Sequence, residues 1–204
     1  APVAMNVAGV IAQQVRGAIV LDTRDPNELA VGHLVGSVNI GLGGRYAEFA
    51  GGVIQPGAPI VLVAEPGVEL EAKNRLARIG FDEVVGFLAD PPRAFAEHPD
   101  AVAQSSRVDA VELSRARAEI EGLQVVDVRQ PGETEAGIID GAITIPLTRL
   151  NQELSRLDAA RPTVVYCAGG FRSSIAASKM RSAGFADVSD LLGGFGAWES
   201  LVDA

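Results

Sequence analysis

The chain has one cysteine, Cys167, and two histidines, His33 and His98, among 204 residues. One cysteine excludes an internal disulfide, and the redox setting reads as reducing and cytoplasmic. Two histidines with no cysteine cluster beside them offer no recognisable ligand set, so neither a metal nor a cofactor is expected. Long apolar runs are missing too. Nowhere do about 18 uncharged apolar residues follow one another, so neither a transmembrane helix nor a membrane partner is expected. The opening APVAMNVAGV lacks a basic stretch ahead of an apolar one, so no signal peptide is expected. It also lacks an initial Met, from which a piece of a longer protein is expected. A basic surplus is absent. Net charge is −9, with 7 basic against 12 acidic residues up to Ser106 and 10 against 14 beyond it. Neither half offers the positive field that a nucleic-acid backbone requires.

What the chain does have is apolar material and repetition. Hydrophobic residues make up 48%, ample for one large core or two small ones. Residues 20–42 read VLDTRDPNELAVGHLVGSVNIGL, and residues 125–147 read VVDVRQPGETEAGIIDGAITIPL. They align at an offset of 105. Asp22, Arg24, Pro26, Gly32 and Gly36 match Asp127, Arg129, Pro131, Gly137 and Gly141. Further on, RLARIGFDEV (75–84) matches KMRSAGFADV (179–188) at an offset of 104. Two matches in the same order argue for a duplicated domain of roughly 90–100 residues. The Pro-, Ala- and polar-rich DPPRAFAEHPDAVAQSSR (90–107) reads as the connection. The expected organisation is a first domain over 1–92, a linker over 93–107 and a second domain over 108–204.

Each copy alternates short β-rich runs with helical ones. Strands are expected at Ala18–Leu21, Val38–Ile40 and Ile60–Val63, and at Val125–Val128, Ala142–Ile145, Thr163–Tyr166 and Val188–Leu191. Helices are expected over Thr148–Leu157, Glu69–Ile79 and Ser173–Ala183, the last two closed by Gly80 and Gly184. This alternation implies an α/β fold with a mostly parallel sheet in each copy, whose ligands sit at the carboxyl ends of strands.

Strand 163–166 ends at the thiol. The loop after it reads Cys167-Ala168-Gly169-Gly170-Phe171-Arg172, with a helix expected from Ser173. Adjacent glycines allow several N–H groups to converge as an anion-binding nest. The following helix adds its positive end. Both favour a thiolate, and Arg172 adds a planar fork suited to oxyanions. The pattern is that of an activated nucleophile beside an anion pocket. A lone cysteine after a strand is more often a small buried hydrophobe, but a core cysteine needs no such loop. No histidine lies in this half, so a Cys–His pair within it is excluded.

CAGGFRS resembles the rhodanese active-site loop, in which Cys-x-x-Gly-x-Arg-Ser/Thr recurs. DVR at 127–129, AGIIDGAITIPL and LLGGFGAW (191–198) extend the resemblance over most of the second half. It implies two rhodanese-like domains, each a central, mostly parallel five-stranded sheet flanked by helices. It implies that Cys167 takes a sulfane sulfur from thiosulfate or a low-molecular-weight persulfide and passes it to a thiophilic acceptor. Ala168, Gly169, Gly170, Phe171, Arg172 and Ser173 would hold the donor, with Asp127 and Arg129 in support. Four residues separate Cys167 from Arg172, where the related dual-specificity phosphatases carry five. The shorter loop is the one the resemblance ties to sulfur.

The first copy resembles the same family through VLDTRDP and GHLVGSVNI. Ungapped alignment sets Val63 opposite Cys167, in a loop reading Val63-Ala64-Glu65-Pro66-Gly67-Val68. It has no thiol and no arginine, Glu65 would repel an anion, and Pro66 removes an N–H donor. This copy is expected to be inactive. An inactive copy beside an active one resembles the C-terminal half of bacterial metallo-β-lactamase-fold/rhodanese fusions. That implies an upstream metallo-hydrolase-fold partner domain. It also leaves a second reading open, in which the chain is a sulfur-carrier or regulatory module without catalysis of its own.

Overall fold

The computed structural model describes residues 2–203. The chain forms two compact units, 1–104 and 105–204.

The first unit contains strands β1 (Ala4–Met5), β2 (Ile19–Asp22), β3 (His33–Leu34), β4 (Val38–Asn39), β5 (Ile60–Val63), β6 (Val84–Leu88) and β7 (Val102–Ala103). Between them lie helices α1 (Val7–Val15), α2 (Pro26–Val31), α3 (Tyr46–Val53), α4 (Glu69–Ala77) and α5 (Pro91–Glu97). The second unit contains β8 (Arg107–Val108), β9 (Gln124–Asp127), β10 (Ile143–Thr144), β11 (Thr163–Tyr166) and β12 (Val188–Leu191). Its helices are α6 (Ala110–Glu119), α7 (Pro131–Thr134), α8 (Leu150–Glu153), α9 (Phe171–Ser182) and α10 (Gly194–Val202).

Each unit has one five-stranded sheet in which every neighbouring pair is parallel. The orders are β1-β6-β5-β2-β4 and β8-β12-β11-β9-β10. Numbered within their own sheets, both run first, fifth, fourth, second, third. The central strands β5 (IVLV) and β11 (TVVY) are buried at every residue. Parallel strands covered on both faces need such continuous apolar runs rather than alternation. The two cores are built alike. Val20, Val61, Val63 and Leu88 pack with Val10 of α1 in one, and Val125, Val164 and Tyr166 with Leu113 of α6 and Trp198 of α10 in the other.

Most strands fall where the pattern puts them, but three expectations are corrected. Segment 93–107, read as a linker, is divided between the units. Pro91 and Pro92 open α5, where missing N–H groups cost nothing, and Asp90 caps it. Val102–Ala103 pairs antiparallel with His33–Leu34, and Arg107–Val108 is the edge strand of the second sheet. The helix expected over 148–157 is broken into one helical turn, Leu150–Glu153, between two 3-10 turns at Leu147–Arg149 and Leu154–Arg156. The helix after the thiol begins two residues early. Phe171 and Arg172 are its first turn, leaving a loop of Cys167 to Gly170.

Helix α9 packs against the sheet through a buried set that is mostly small, Ser173, Ser174, Ala176, Ala177 and Ser178, beside Ile175 and Met180. Two of the hydroxyls, on Ser174 and Ser178, return to helix carbonyls three residues back at 2.8 Å, so their burial leaves no polar group unpaired. Both repeats end this helix in the same way. Gly80 and Gly184 take positive φ, and Phe81 and Phe185 fold back under it, their amides bonding to Leu76 and Met180.

Candidate active site

Strand β11 runs through the middle of the second sheet and delivers Cys167 to its carboxyl end, 1% exposed. Tight turning follows at once. Gly170, at φ +100°, caps α9, and its amide points back at the Cys167 Sγ at 3.1 Å. The Ser173 Oγ stands 3.6 Å from the same sulfur. The sulfur thus faces a backbone donor, a hydroxyl and the positive end of a twelve-residue helix.

The loop is clamped from behind by the β12–α10 junction. The Phe195 amide donates to the Cys167 carbonyl at 2.7 Å, and the Gly196 amide to the Ala168 carbonyl at 3.3 Å. Gly194 makes this approach possible. Its φ is +58°, and a Cβ there would fall on the Cys167 carbonyl oxygen and within 2.7 Å of the Ala168 carbonyl. Of the residues expected to hold a donor, Ala168 and Gly169 form the exposed crest and Phe171 is 40% exposed. Gly170 and Ser173 are buried against the sulfur.

Arg172 already has an anionic partner. Its guanidinium forms a two-pronged pair with Glu133 of α7, with Nη1 donating to Oε2 at 2.7 Å and Nη2 to Oε1 at 2.6 Å. Glu133 was not anticipated. Its carboxylate also accepts the Gln130 amide, closing a capping box on α7. Arg172, against the cost of burial, holds the Glu133 carboxyl down to about 2. In return Glu133, and less strongly Cys167, raise the arginine above its ordinary value. One signal in the sequence could have found it: Glu133 and Glu28 are identical at the repeat offset of 105.

Asp127 and Arg129 form a buried ion pair at the end of β9, at 2.7 Å, in place of the surface pair that strand-end turns often carry. Arg129 also donates to the Gly137 carbonyl at 2.7 Å and lies 4.0 Å over the ring of Phe195. These two residues approach the loop through Phe195, whose amide holds the Cys167 carbonyl. Asp22 and Arg24 repeat the pair in the first unit, at 2.6 Å, with Gly32 accepting and Phe95 beneath.

The first unit corrects the ungapped alignment. Asp22 pairs with Val63 in the ladder, and Asp127 with Tyr166. The position of Cys167 is therefore held by Ala64. Between these strands the first copy carries two more residues than the second, and a gapless comparison spreads that difference over the loop. Ala64 opens on a groove of about 510 Å³ bordered by Arg24, Glu28, Glu65, Pro66, Phe95 and Val102. Glu28, the counterpart of Glu133, shares that groove with Arg24 but takes a second carboxyl, Glu65, as its hydrogen-bond partner. A hydrogen bond to Glu65, assisted by partial burial, pushes it above the usual carboxylate range.

Among the described residues no group of three or more His, Cys, Asp or Glu could hold a metal, and no helix is long and apolar enough to cross a membrane.

A parallel α/β unit with a cysteine loop at the mouth of its central strand is the class of protein that fold and site define. Residues 109–201 match the model of the rhodanese-like domain. YqhL of Bacillus subtilis, described as uncharacterized, is 38% identical over 88 residues, 43% of this chain and 70% of that protein. A sulfurtransferase of Allochromatium vinosum is 32% identical over 93 residues, 46% of this chain and 87% of its own length. The thiosulfate sulfurtransferase GlpE of Shewanella oneidensis is 39% identical over 80 residues, 39% of this chain and 79% of that protein. The chain belongs to the rhodanese-like family, and it has sulfurtransferases among its relatives.

Proposed function

We propose that the chain is a single-site sulfurtransferase working through a persulfide on Cys167. The observation that carries this reading is the convergence on one sulfur of the Gly170 amide, at 3.1 Å, and the N-terminal end of α9. Both aim partial positive charge at the reacting sulfur, and would do the same for the persulfide it would become. The thiolate attacks the outer sulfur of the donor. With thiosulfate, the S–S bond breaks and sulfite leaves with the electron pair. With a persulfide RS–SH, the thiolate RS⁻ leaves. The enzyme-bound outer sulfur then passes to cyanide or an acceptor thiolate, and Cys167 is returned as thiolate. Ala168, Gly169 and Phe171 border the approach, Gly170 and Ser173 face the reacting sulfur, and Arg172 with Glu133 closes one side. Asp127 and Arg129 support the loop through Phe195. A reducing, cytoplasmic setting suits a site whose single thiol must stay reduced between turnovers.

The first unit is a second, inactive copy of the same domain. Its identical strand order supports duplication, and Ala64 with Glu65 and Glu28 supports the loss of chemistry. An upstream metallo-β-lactamase-fold domain in the full-length protein would be the natural consumer of the persulfide; residues preceding Ala1 test this directly.

Turnover tests the proposal. Wild-type protein supplied with thiosulfate and cyanide is expected to produce thiocyanate, and Cys167→Ser is expected to produce none. Equal production by both would sink the reading.

A further inference from the structure

The Arg172–Glu133 pair bears on donor choice, an inference that rests on the sulfurtransferase reading above. We propose that Glu133 is a specificity-determining residue that turns the Cys167 site away from dianionic thiosulfate and toward low-charge organic persulfides. Arg172 is the one cation that the loop Cys167 to Ser173 carries. Two of its nitrogens are committed to the two Glu133 oxygens at 2.6 and 2.7 Å. Glu133 is itself fixed by the Gln130 amide at 2.9 Å, so the clamp is built before any donor arrives. The pair's net charge is zero across the physiological range, because the Glu133 carboxyl is held to about 2. An arriving donor therefore meets the Gly170 amide, the Ser173 hydroxyl and a helix end, beside an arginine whose charge Glu133 already balances.

That arrangement discriminates by charge. Thiosulfate brings two negative charges to a site walled by the Glu133 carboxylate, and it must compete with Glu133 for Arg172 or forgo it. An alkyl persulfide brings at most one charge and an apolar stem. The half-exposed Phe171 ring borders its path. Both donors deliver the same atom. With the persulfide, Cys167–S⁻ attacks the outer sulfur of RS–SH, the RS–S bond breaks, and RS⁻ departs with its electrons. The departing group leaves singly charged, whereas thiosulfate must expel a sulfite dianion past a carboxylate.

The test is the ratio of kcat/KM for thiosulfate to kcat/KM for a neutral-stem alkyl persulfide, in wild type and in Glu133→Gln. Glutamine retains the capping-box oxygen and removes the charge. The expected result is a rise of about tenfold in this ratio, carried by a lower KM for thiosulfate. A merely structural role would lower both activities and leave the ratio in place. Glu133→Ala provides a second variant, should glutamine misfold. Competition between iodoacetate and iodoacetamide for Cys167 reads the same charge without any sulfur transfer. Preference for the anionic reagent should rise severalfold in either variant. An unchanged donor ratio together with an unchanged alkylation preference would overturn the assignment. If wild type takes sulfur from neither donor, the sulfurtransferase reading fails, and the alkylation preference still decides the role of Glu133.

Discussion

The Gly170 amide donates to the Cys167 Sγ at 3.1 Å, across a turn that only a residue at φ +100° closes. Much of the site's chemistry follows from that contact. The glycine sets the amide, the amide sets the sulfur, and the sulfur stands where the central strand meets the first turn of α9.

Gly194 makes the loop's rear clamp possible, so Gly194→Ala should damage both stability and activity. A methyl group there collides with the Cys167 and Ala168 carbonyls, and φ +58° disfavours any side chain. The expected loss is about 2–3 kcal/mol in urea unfolding. Sulfur uptake should fall with it. Wild-type stability in this variant would show that the junction does not press on the loop.

Asp127→Ala should cost about 3–5 kcal/mol, because it leaves the Arg129 guanidinium buried without its carboxylate. Replacing both residues by apolar side chains of similar volume should recover most of that loss. A loss under about 1 kcal/mol in the single variant would mean that water reaches Arg129.

Arg172→Ala should behave in the opposite way. The pair with Glu133 is partly solvated, with side chains 20% and 36% exposed, so the stability change should stay under about 1 kcal/mol. Turnover with a given donor should fall by about tenfold or more, because the wall beside Cys167 opens and Glu133 is left uncompensated. Unchanged turnover would reduce Arg172 to a surface residue.

The same pair predicts an acid-side signature. Glu133 is held to about 2 in the folded chain, below its ordinary value of 4.5. The unfolded state therefore binds the proton first. The contribution is complete above that ordinary value and fades as pH falls toward about 2. Melting temperatures between about pH 5 and 2 should fall less steeply in Glu133→Gln than in wild type. Parallel slopes would contradict the pairing.

What could be seen in the sequence follows the range of the forces involved. β5 and β11 lie where their apolar runs put them, because a strand buried on both faces declares itself locally. The Asp-x-Arg turns repeat because each closes over two residues. Glu133 escaped because its partner stands 39 residues away, and nothing local distinguishes it from a helix-capping acid. The start of α9 was misplaced because two glycines read as loop, whereas one of them is the helix cap. Pro91 and Pro92 read as a linker for a similar reason: proline ends many elements, and here it begins one. The gap of two residues that moves Ala64 into the position of Cys167 became visible through the ladder pairing of Asp22 with Val63.

The central claim is that Cys167 carries the transferred sulfur, and intact-protein and peptide mass spectrometry after brief exposure to a donor tests it most directly. The account predicts a gain of one sulfur atom on the peptide containing Cys167. Cyanide or reductant should remove it, and folded Cys167→Ser protein should lack it. A folded wild-type protein that gains no sulfur from thiosulfate or from an alkyl persulfide would contradict the account, as would sulfur held equally by Cys167→Ser.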